Sequence, residues 1–303
     1  MGRVLFVFLD GIGIGPHDPQ VNPFFSAALP TLRRVLQGQL PSLEGPSPRG
    51  ISAKAFPVDA CLGVEGIPQS GTGQIALLTG RNAPKEFGRH FGPWPPVRLR
   101  AGLARENFLV RAAARGARVA FANAYPRDYP GERHSRRVAA LPLAAYAAGV
   151  LDRDHEALEE GKAVASEIVN DAWIEHLGHL RVPRITPREA GVNLGRISEG
   201  ADLTVYAHYL TDEAGHRGGL PGAIEALERV DALLGGILDV LPDDALLVIA
   251  SDHGNLEDAR GGHTRNPVLG LLIGSHALNV ETPGALTDIA GLILDQVANG
   301  LES

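Results

Sequence analysis

Apolar residues along this chain of 303 residues fall into two rhythms. Five short runs, VLFVFL at 4–9, VAFAN at 119–123, LTVYAHY at 203–209, ALLVIA at 245–250 and VLGLLIG at 268–274, have few polar interruptions. Their length and continuity predict strands buried on both faces. Between them apolar positions return every three or four residues. The clearest case is GAIEALERVDALLGGILDVL at 222–241, where Ile224, Leu227, Val230, Leu234, Ile237 and Leu241 make one helical stripe. A last apolar helix is predicted in LTDIAGLILDQVANG, with Thr287 as its cap candidate. Strands alternating with helices predict an α/β fold: a mostly parallel sheet covered by helices on both faces.

The stretch 127–200 has another texture. It opens on the basic, turn-rich PRDYPGERHSRR, continues through alanine-rich and acidic helical pieces, and closes on RVPRITPREAG. We read it as a small inserted lobe or cap, with 1–126 and 201–303 forming the core. No internal repeat or low-complexity tract is visible.

Composition narrows the function classes. The formal net charge is -7, from 28 basic and 35 acidic residues without a basic run, which argues against a nucleic-acid surface and for small ligands. The single cysteine, Cys61, excludes an intrachain disulfide and fits a reducing compartment. No apolar stretch approaches the roughly 18 residues of a membrane span. The first apolar run is too short for a secretory segment and ends in Asp10 instead of a cleavage site. These features predict a cytoplasmic protein without membrane contact; they specify no oligomeric state.

The chemistry begins with Asp10. An unpaired carboxylate at the end of a buried strand costs several kcal/mol unless it is solvated or held as a ligand. The same placement recurs at Asp212, in TDEAGH with His216 four residues on, and at Asp252, beside His253 in SDHGN. GGHTRNP then presents His263 shortly before the last strand. Any one of these has a plain explanation: an aspartate after a strand often caps the next helix, and His208 within a strand reads as structural. Together they place carboxylates and imidazoles at the carboxyl ends of strands, where open α/β sheets bind ligands. Nitrogen and oxygen donors without cysteine suit zinc or manganese better than magnesium, and two cations would use about three protein ligands each.

A nucleophile is offered by PQSGTGQIALLTG, where Ser70 precedes a helical stretch. A hydroxyl at a helix N-terminus meets the positive end of the dipole and free N–H groups. The plain alternative is an N-cap. A rival reading takes Gly71, Gly73 and Ala76 as a loose G-x-G-x-x-A dinucleotide fingerprint, but Pro68 and Gln69 precede it where a strand should, and no acidic residue follows at the required distance.

Taken together, LDGIGIG, PQSGTGQIALLTGR, TDEAGHRG, SDHGN and GGHTRNPV resemble the alkaline phosphatase superfamily of metalloenzymes, within it the branch of cofactor-independent phosphoglycerate mutase and phosphopentomutase. The resemblance runs in the family's order from residue 9 to about 268. It implies an alkaline-phosphatase-like core, one divalent metal on Asp10, Ser70, Asp252 and His253, a second on Asp212, His216 and His263, and transient phosphorylation of Ser70. It further implies phosphoryl transfer from a small phosphate ester: a phosphatase if water takes the phosphoryl group, a phosphomutase if a substrate hydroxyl does. Here Gly73 is followed by Gln74 where the mutases carry histidine, and the large mutase cap has only 127–200 and the loop KEFGRHFGPWPP as counterparts. Arg81, Arg89, His90, Arg217 and Arg265 lie near the motifs and are weaker candidates for binding substrate phosphate. A metal-binding module that has lost catalysis is the reading from another class, and a dinucleotide-dependent oxidoreductase stands on the glycine loop alone.

Overall fold

The computed structural model describes residues 2–131 and 137–301; the basic 132–136 within PRDYPGERHSRR falls outside the described residues. Its six strands are β1 (Arg3–Leu9), β2 (Ala53–Val58), β3 (Val119–Phe121), β4 (Leu203–His208), β5 (Ala245–Ala250) and β6 (Val268–Ile273). They form one sheet in the order β2-β6-β5-β1-β4-β3. β1 pairs in parallel with β5 and β4, and β3 in parallel with β4. β6 runs against both its neighbours, so the sheet is mixed.

β2 is absent from the strands read in the sequence because Lys54 and Pro57 break its apolar run. Both fit where it lies. β2 is an edge strand, which tolerates Pro57, and the buried Lys54 Nζ donates to the carbonyls of Leu278 and Val280.

Alternation along β1 shows how the sheet is covered. Val4, Phe6 and Phe8 join one core with Ile75, Leu141, Ala144, Ile289 and Ile293, while Leu5, Val7 and Leu9 join another with Ala190, Leu194, Leu227, Leu234 and Ile237. The helices Ser70–Thr79, Ala140–Ala147 and Leu286–Leu301 therefore lie over one face, and Pro187–Glu199 and Gly219–Val240 over the other. Two of these, Ala140–Ala147 and Pro187–Glu199, come from 127–200. The residues of that stretch that stand apart gather around Leu158, Trp173 and Val182 in a small satellite cluster. In the last helix Thr287 lies within the first turn and is not its cap; the Asp288 carboxylate accepts from the N–H groups of Gly284 and Ala285 instead. No helix among the described residues is long and apolar enough to cross a membrane.

His208, at the end of β4, is fully buried and donates from Nδ1 to the Ser166 carbonyl at 2.7 Å. Burial lowers its pKa to about 4. The folded state keeps this imidazole neutral while the unfolded chain protonates it near 6.5, so its contribution is full above that pH and is lost as pH falls toward 4. The expected loss is roughly 3 kcal/mol. Urea unfolding between pH 7.5 and 4, compared with His208→Leu, checks this: the variant should have the shallower pH slope, and equal slopes would refute it.

Candidate metal centre and active site

The candidate residues reach one place because the parallel strands end at one edge. Asp10 follows β1, and its N–H still donates to the His208 carbonyl at 3.0 Å, one step past the strand. Gly11 then turns the chain away at φ 70. A Cβ at that position would stand 2.7 Å from Asp212 Oδ1, so only glycine lets the first and fourth strands bring their aspartates together here. Asp212 and His216 lie one turn apart on the helix Leu210–Arg217, which follows β4. Asp252 and His253 follow β5. Because β6 is antiparallel, its start lies at the same edge, and His263 comes just before it.

Ser70 is the first residue of the helix Ser70–Thr79, and Gln69, not Ser70, is its N-cap. The helix is buried on every side, its hydroxyl-bearing end aimed at the aspartates. The glycine fingerprint lies inside this helix, twelve residues after β2 ends at Val58, and so lacks the strand a dinucleotide site requires.

The distances join these residues in one cluster. His253 Nε2 lies 2.9 Å from Ser70 Oγ, 3.2 Å from Asp10 Oδ1, 3.7 Å from Asp252 Oδ2 and 4.0 Å from Asp212 Oδ1. His263 Nε2 is 3.5 Å from Asp212 Oδ1 and 3.0 Å from His216 Nε2, which in turn lies 3.4 Å from Asp212 Oδ2. Two ligand groups result, Asp212 with His216 and His263, and Asp10 with Asp212 and His253. Asp212 belongs to both. Supporting contacts orient them: His263 Nδ1 donates to the Pro68 carbonyl at 2.9 Å, which aims Nε2 into the cluster, and Asn255 Nδ2 donates to Asp212 Oδ1 at 2.6 Å.

Electrostatics show what the cluster lacks. Burial, reinforced by Asp252 and Asp212, raises the Asp10 carboxyl well above the usual range against the lowering effect of His253. For His253 burial acts downward, but Asp252, Asp10 and Asp212 outweigh it and push it up to about 10. Asp212, despite burial, is held down near 2 by the hydrogen bond to His263 and the charge of His253. A proton on His253 thus answers part of the negative charge. It does not answer all of it: Asp10 Oδ1 and Asp252 Oδ2 are buried without a hydrogen-bond partner. Orphaned carboxylate oxygens beside imidazole nitrogens fit divalent cations, which would displace the imidazole protons and be bound by nitrogen and oxygen.

Beside this cluster opens a cavity of about 770 Å³, lined by Asp10, Ser70, Gln74, Asp212, His216 and Arg217 and also by Trp94, Tyr125, Tyr129, Ser166, Glu167 and Tyr209. No residue of the second group was singled out by itself in the sequence, although Trp94 lies in the loop KEFGRHFGPWPP and Tyr129, Ser166 and Glu167 lie in 127–200, the two stretches read as counterparts of a cap. Nothing in the group's local spacing marks it, since its members meet only through the fold. Gln74 bonds in two directions: Nε2 donates to Asp10 Oδ2 at 3.4 Å and Oε1 accepts from the Ala140 N–H at 3.2 Å. Of the five weaker candidates, Arg217 lines the cavity. Arg81 is held in ion pairs with Glu86 and Glu106, Arg89 lies over the Phe91 ring, His90 Nε2 faces the Val64 carbonyl, and Arg265 is not among the lining residues.

Residues 194–299 match the model of the Metalloenzyme superfamily, a stretch that contains Asp212, His216, Asp252, His253 and His263. Curated relatives include the 2,3-bisphosphoglycerate-independent phosphoglycerate mutase of Desulforudis audaxviator, 36% identical over 122 residues, covering 37% of this chain and 24% of that protein. The enzyme of the same name from Paracoccus denitrificans is 38% identical over 108 residues, covering 33% of this chain and 21% of its own. The chain thus spans about a quarter or less of the length of these relatives. Among solved structures, the PH0037 protein from Pyrococcus horikoshii matches with a TM-score of 0.58 at 14% identity, covering 98% of this chain and 96% of that one. Ps i-CgsB in complex with k-i-k-neocarrahexaose matches with a TM-score of 0.52 at 13% identity, covering 98% and 72%. These two likenesses concern the fold alone. The resemblance to superfamily metalloenzymes and to the phosphoglycerate mutase branch holds, and the two candidate ligand groups are of a kind that divalent metal ions use.

Two outcomes follow. Gly11→Ala should destabilise the protein by about 1–3 kcal/mol, from a left-handed backbone and the clash with Asp212; chemical denaturation checks it, and a neutral change would contradict the close approach. Manganese or zinc should raise the thermal midpoint by binding the folded state, worth about 2.7 kcal/mol at a hundredfold excess over Kd. Asp212→Asn, which weakens both ligand groups, should abolish most of that rise.

Proposed function

We propose that the chain is a phosphatase acting on a small phosphate ester, with two divalent cations and Ser70 as the nucleophile. The observation that carries this reading is the position of Ser70. Its Oγ stands at the amino end of a buried helix, 2.9 Å from His253 and in the same cluster as three aspartates. A hydroxyl with no task would not need such surroundings.

Asp10, Ser70, Asp252 and His253 would hold one cation and Asp212, His216 and His263 the other, with manganese or zinc favoured over magnesium by the three imidazoles. Bound cations supply Lewis-acid activation of the hydroxyl and offset charge on the phosphoryl oxygens. The chain's own part is nucleophilic displacement. Ser70 Oγ bonds to phosphorus while the bond from phosphorus to the ester oxygen breaks, and the alcohol departs with a proton. Water then cleaves the phosphoserine, releasing inorganic phosphate and restoring the hydroxyl. The N–H groups of Ser70 and Gly71 at the start of the helix receive phosphoryl oxygens; those of Thr72 and Gly73 are already taken by the carbonyls of Phe91 and Gln69. Without metal His253 carries a proton, its pKa pushed up to about 10 by the surrounding aspartates; a cation bound at Nε2 would displace that proton, so His253 would act as a ligand and not as the general base of a hydrolase triad.

The second reading is a phosphomutase, in which a substrate hydroxyl takes the phosphoryl group in place of water; the mutase names of the curated relatives favour it. A catalytically silent module is disfavoured because Ser70 accompanies every candidate ligand. A cytoplasmic location, resting on charge and the single Cys61, belongs to the same proposal.

The deciding assay is phosphate release from a panel of small esters by protein stripped of metal and reloaded with manganese or zinc. Turnover should return with metal and fall by roughly a thousandfold or more in Ser70→Ala. Fully metallated protein inert toward phosphomonoesters would overturn the phosphatase reading.

A further inference from the structure

The wall of the cavity beside the Ser70 cluster includes residues of a loop, 164–168, whose construction exceeds what a connection needs. Val164 exchanges backbone bonds with the segment after β3, its N–H donating to Ala122 and its carbonyl accepting from Ala124. Three fully buried polar side chains then hold the next residues. Tyr206 Oη donates to the Ala165 carbonyl at 2.8 Å, His208 Nδ1 to the Ser166 carbonyl at 2.7 Å, and Asn123 Nδ2 to Ser166 Oγ at 3.2 Å. Asn123 is itself fixed by two bonds to the Ala207 backbone.

The loop closes at Ile168, a buried β-branched residue with φ 74, a conformation such residues rarely adopt and one that costs of order 1–3 kcal/mol. The buried side chains satisfy the carbonyls of Ala165 and Ser166. They do not explain why the loop tolerates this strain, nor why the residue it presents to the cavity is Glu167. That carboxylate is half-buried and forms no ion pair with a lysine or arginine among the described residues. Burial raises its pKa, against the smaller lowering effects of a hydrogen bond from its own backbone and of the charge of His176.

Its surroundings define what it would accept. Tyr125 lies between Phe121 and Tyr129, stacked on both at 6.3 Å and 4.4 Å between ring centroids. With both its faces covered, Tyr125 offers the cavity its edge and hydroxyl, not an open face for an ammonium group. Hydroxyls of Ser166 and the tyrosines beside an acceptor-only carboxylate match a ligand whose groups both donate and accept. Glu167 itself disfavours a ligand carboxylate placed against it, whereas Glu213, also on the lining, is paired with Arg217 at 3.2 Å.

We propose that Glu167 is a specificity-determining residue that accepts hydrogen bonds from hydroxyls of the leaving group, so that the substrate is a phosphate ester of a polyol or sugar and not of a hydroxy acid. This rests on Ser70 being the site of phosphoryl transfer.

The test compares kcat/KM of the metal-loaded enzyme for glycerol phosphate, ribose phosphate, phosphoethanolamine and phosphoglycerate, each relative to phenyl phosphate. The polyol and sugar esters should rank first. In Glu167→Gln, which preserves shape but removes the charge, their advantage over phenyl phosphate should shrink roughly tenfold, through KM more than kcat. Calorimetric binding of the preferred ester to Ser70→Ala protein should weaken by the same factor when Glu167→Gln is added. Preference for phosphoglycerate or phosphoethanolamine, or a ratio unmoved by Glu167→Gln, would overturn the assignment. Phenyl phosphate turnover that survives Ser70→Ala would sink the phosphoryl-transfer reading itself; turnover that depends on Ser70 while the ratio stays fixed would sink this inference alone.

Discussion

Charge balance at one edge of the sheet is the constraint on which this structure turns. Three neighbouring strands, β4, β1 and β5, each lead into an aspartate, and the side chains of Asp10 and Asp252 are almost wholly removed from water. Like charges in such a place repel strongly, and burial alone disfavours each. The fold answers partly with the proton on His253 and partly with amide donors from Gln74 and Asn255. What remains are carboxylate oxygens with nothing to accept, a deficit that divalent cations are suited to fill. Ser70 takes its significance from this setting, since its hydroxyl is placed where counter-charge is required.

The architecture around this edge is ordinary in its parts and specific in their arrangement. Strands apolar on both faces build two cores, which fix the sheet rigidly enough for its loops to be held in register. The reversed β6 brings His263 to the same edge as Asp252, although both belong to one connection. The helix Ser70–Thr79, buried all round, has no solvent face to direct it and is oriented by its contacts alone.

Much of this was legible in the sequence because the ligand candidates follow directly on apolar runs. Asp10, Asp212 and Asp252 interrupt or trail strands where a carboxylate is out of place, and their repetition outweighed the capping role that suits any one of them. β2 was hidden by Lys54 and Pro57, whose tolerance depends on an edge position and on carbonyls more than two hundred residues away. The cavity wall was hidden for a related reason. Glu167, Tyr125 and Tyr209 come from separate connections and share no periodicity, so only the fold makes them neighbours. Arg81 shows the converse error: close to the Ser70 motif in sequence, it is occupied by Glu86 and Glu106 on an exposed surface.

β1 occupies the middle of the sheet, between β5 and β4, both of which are made about two hundred residues or more later. It is therefore a keystone of the sheet. A nascent chain holding Asp10 has neither neighbouring strand to set beside it until β4 and β5 have emerged, and no complete ligand set until the segment around His263 follows. Until then the apolar run of β1 must wait unpaired. Closure of the long loop that docks it is consequently a condition for completing the ligand cluster, which ties the appearance of the site to the synthesis of β4 through β6.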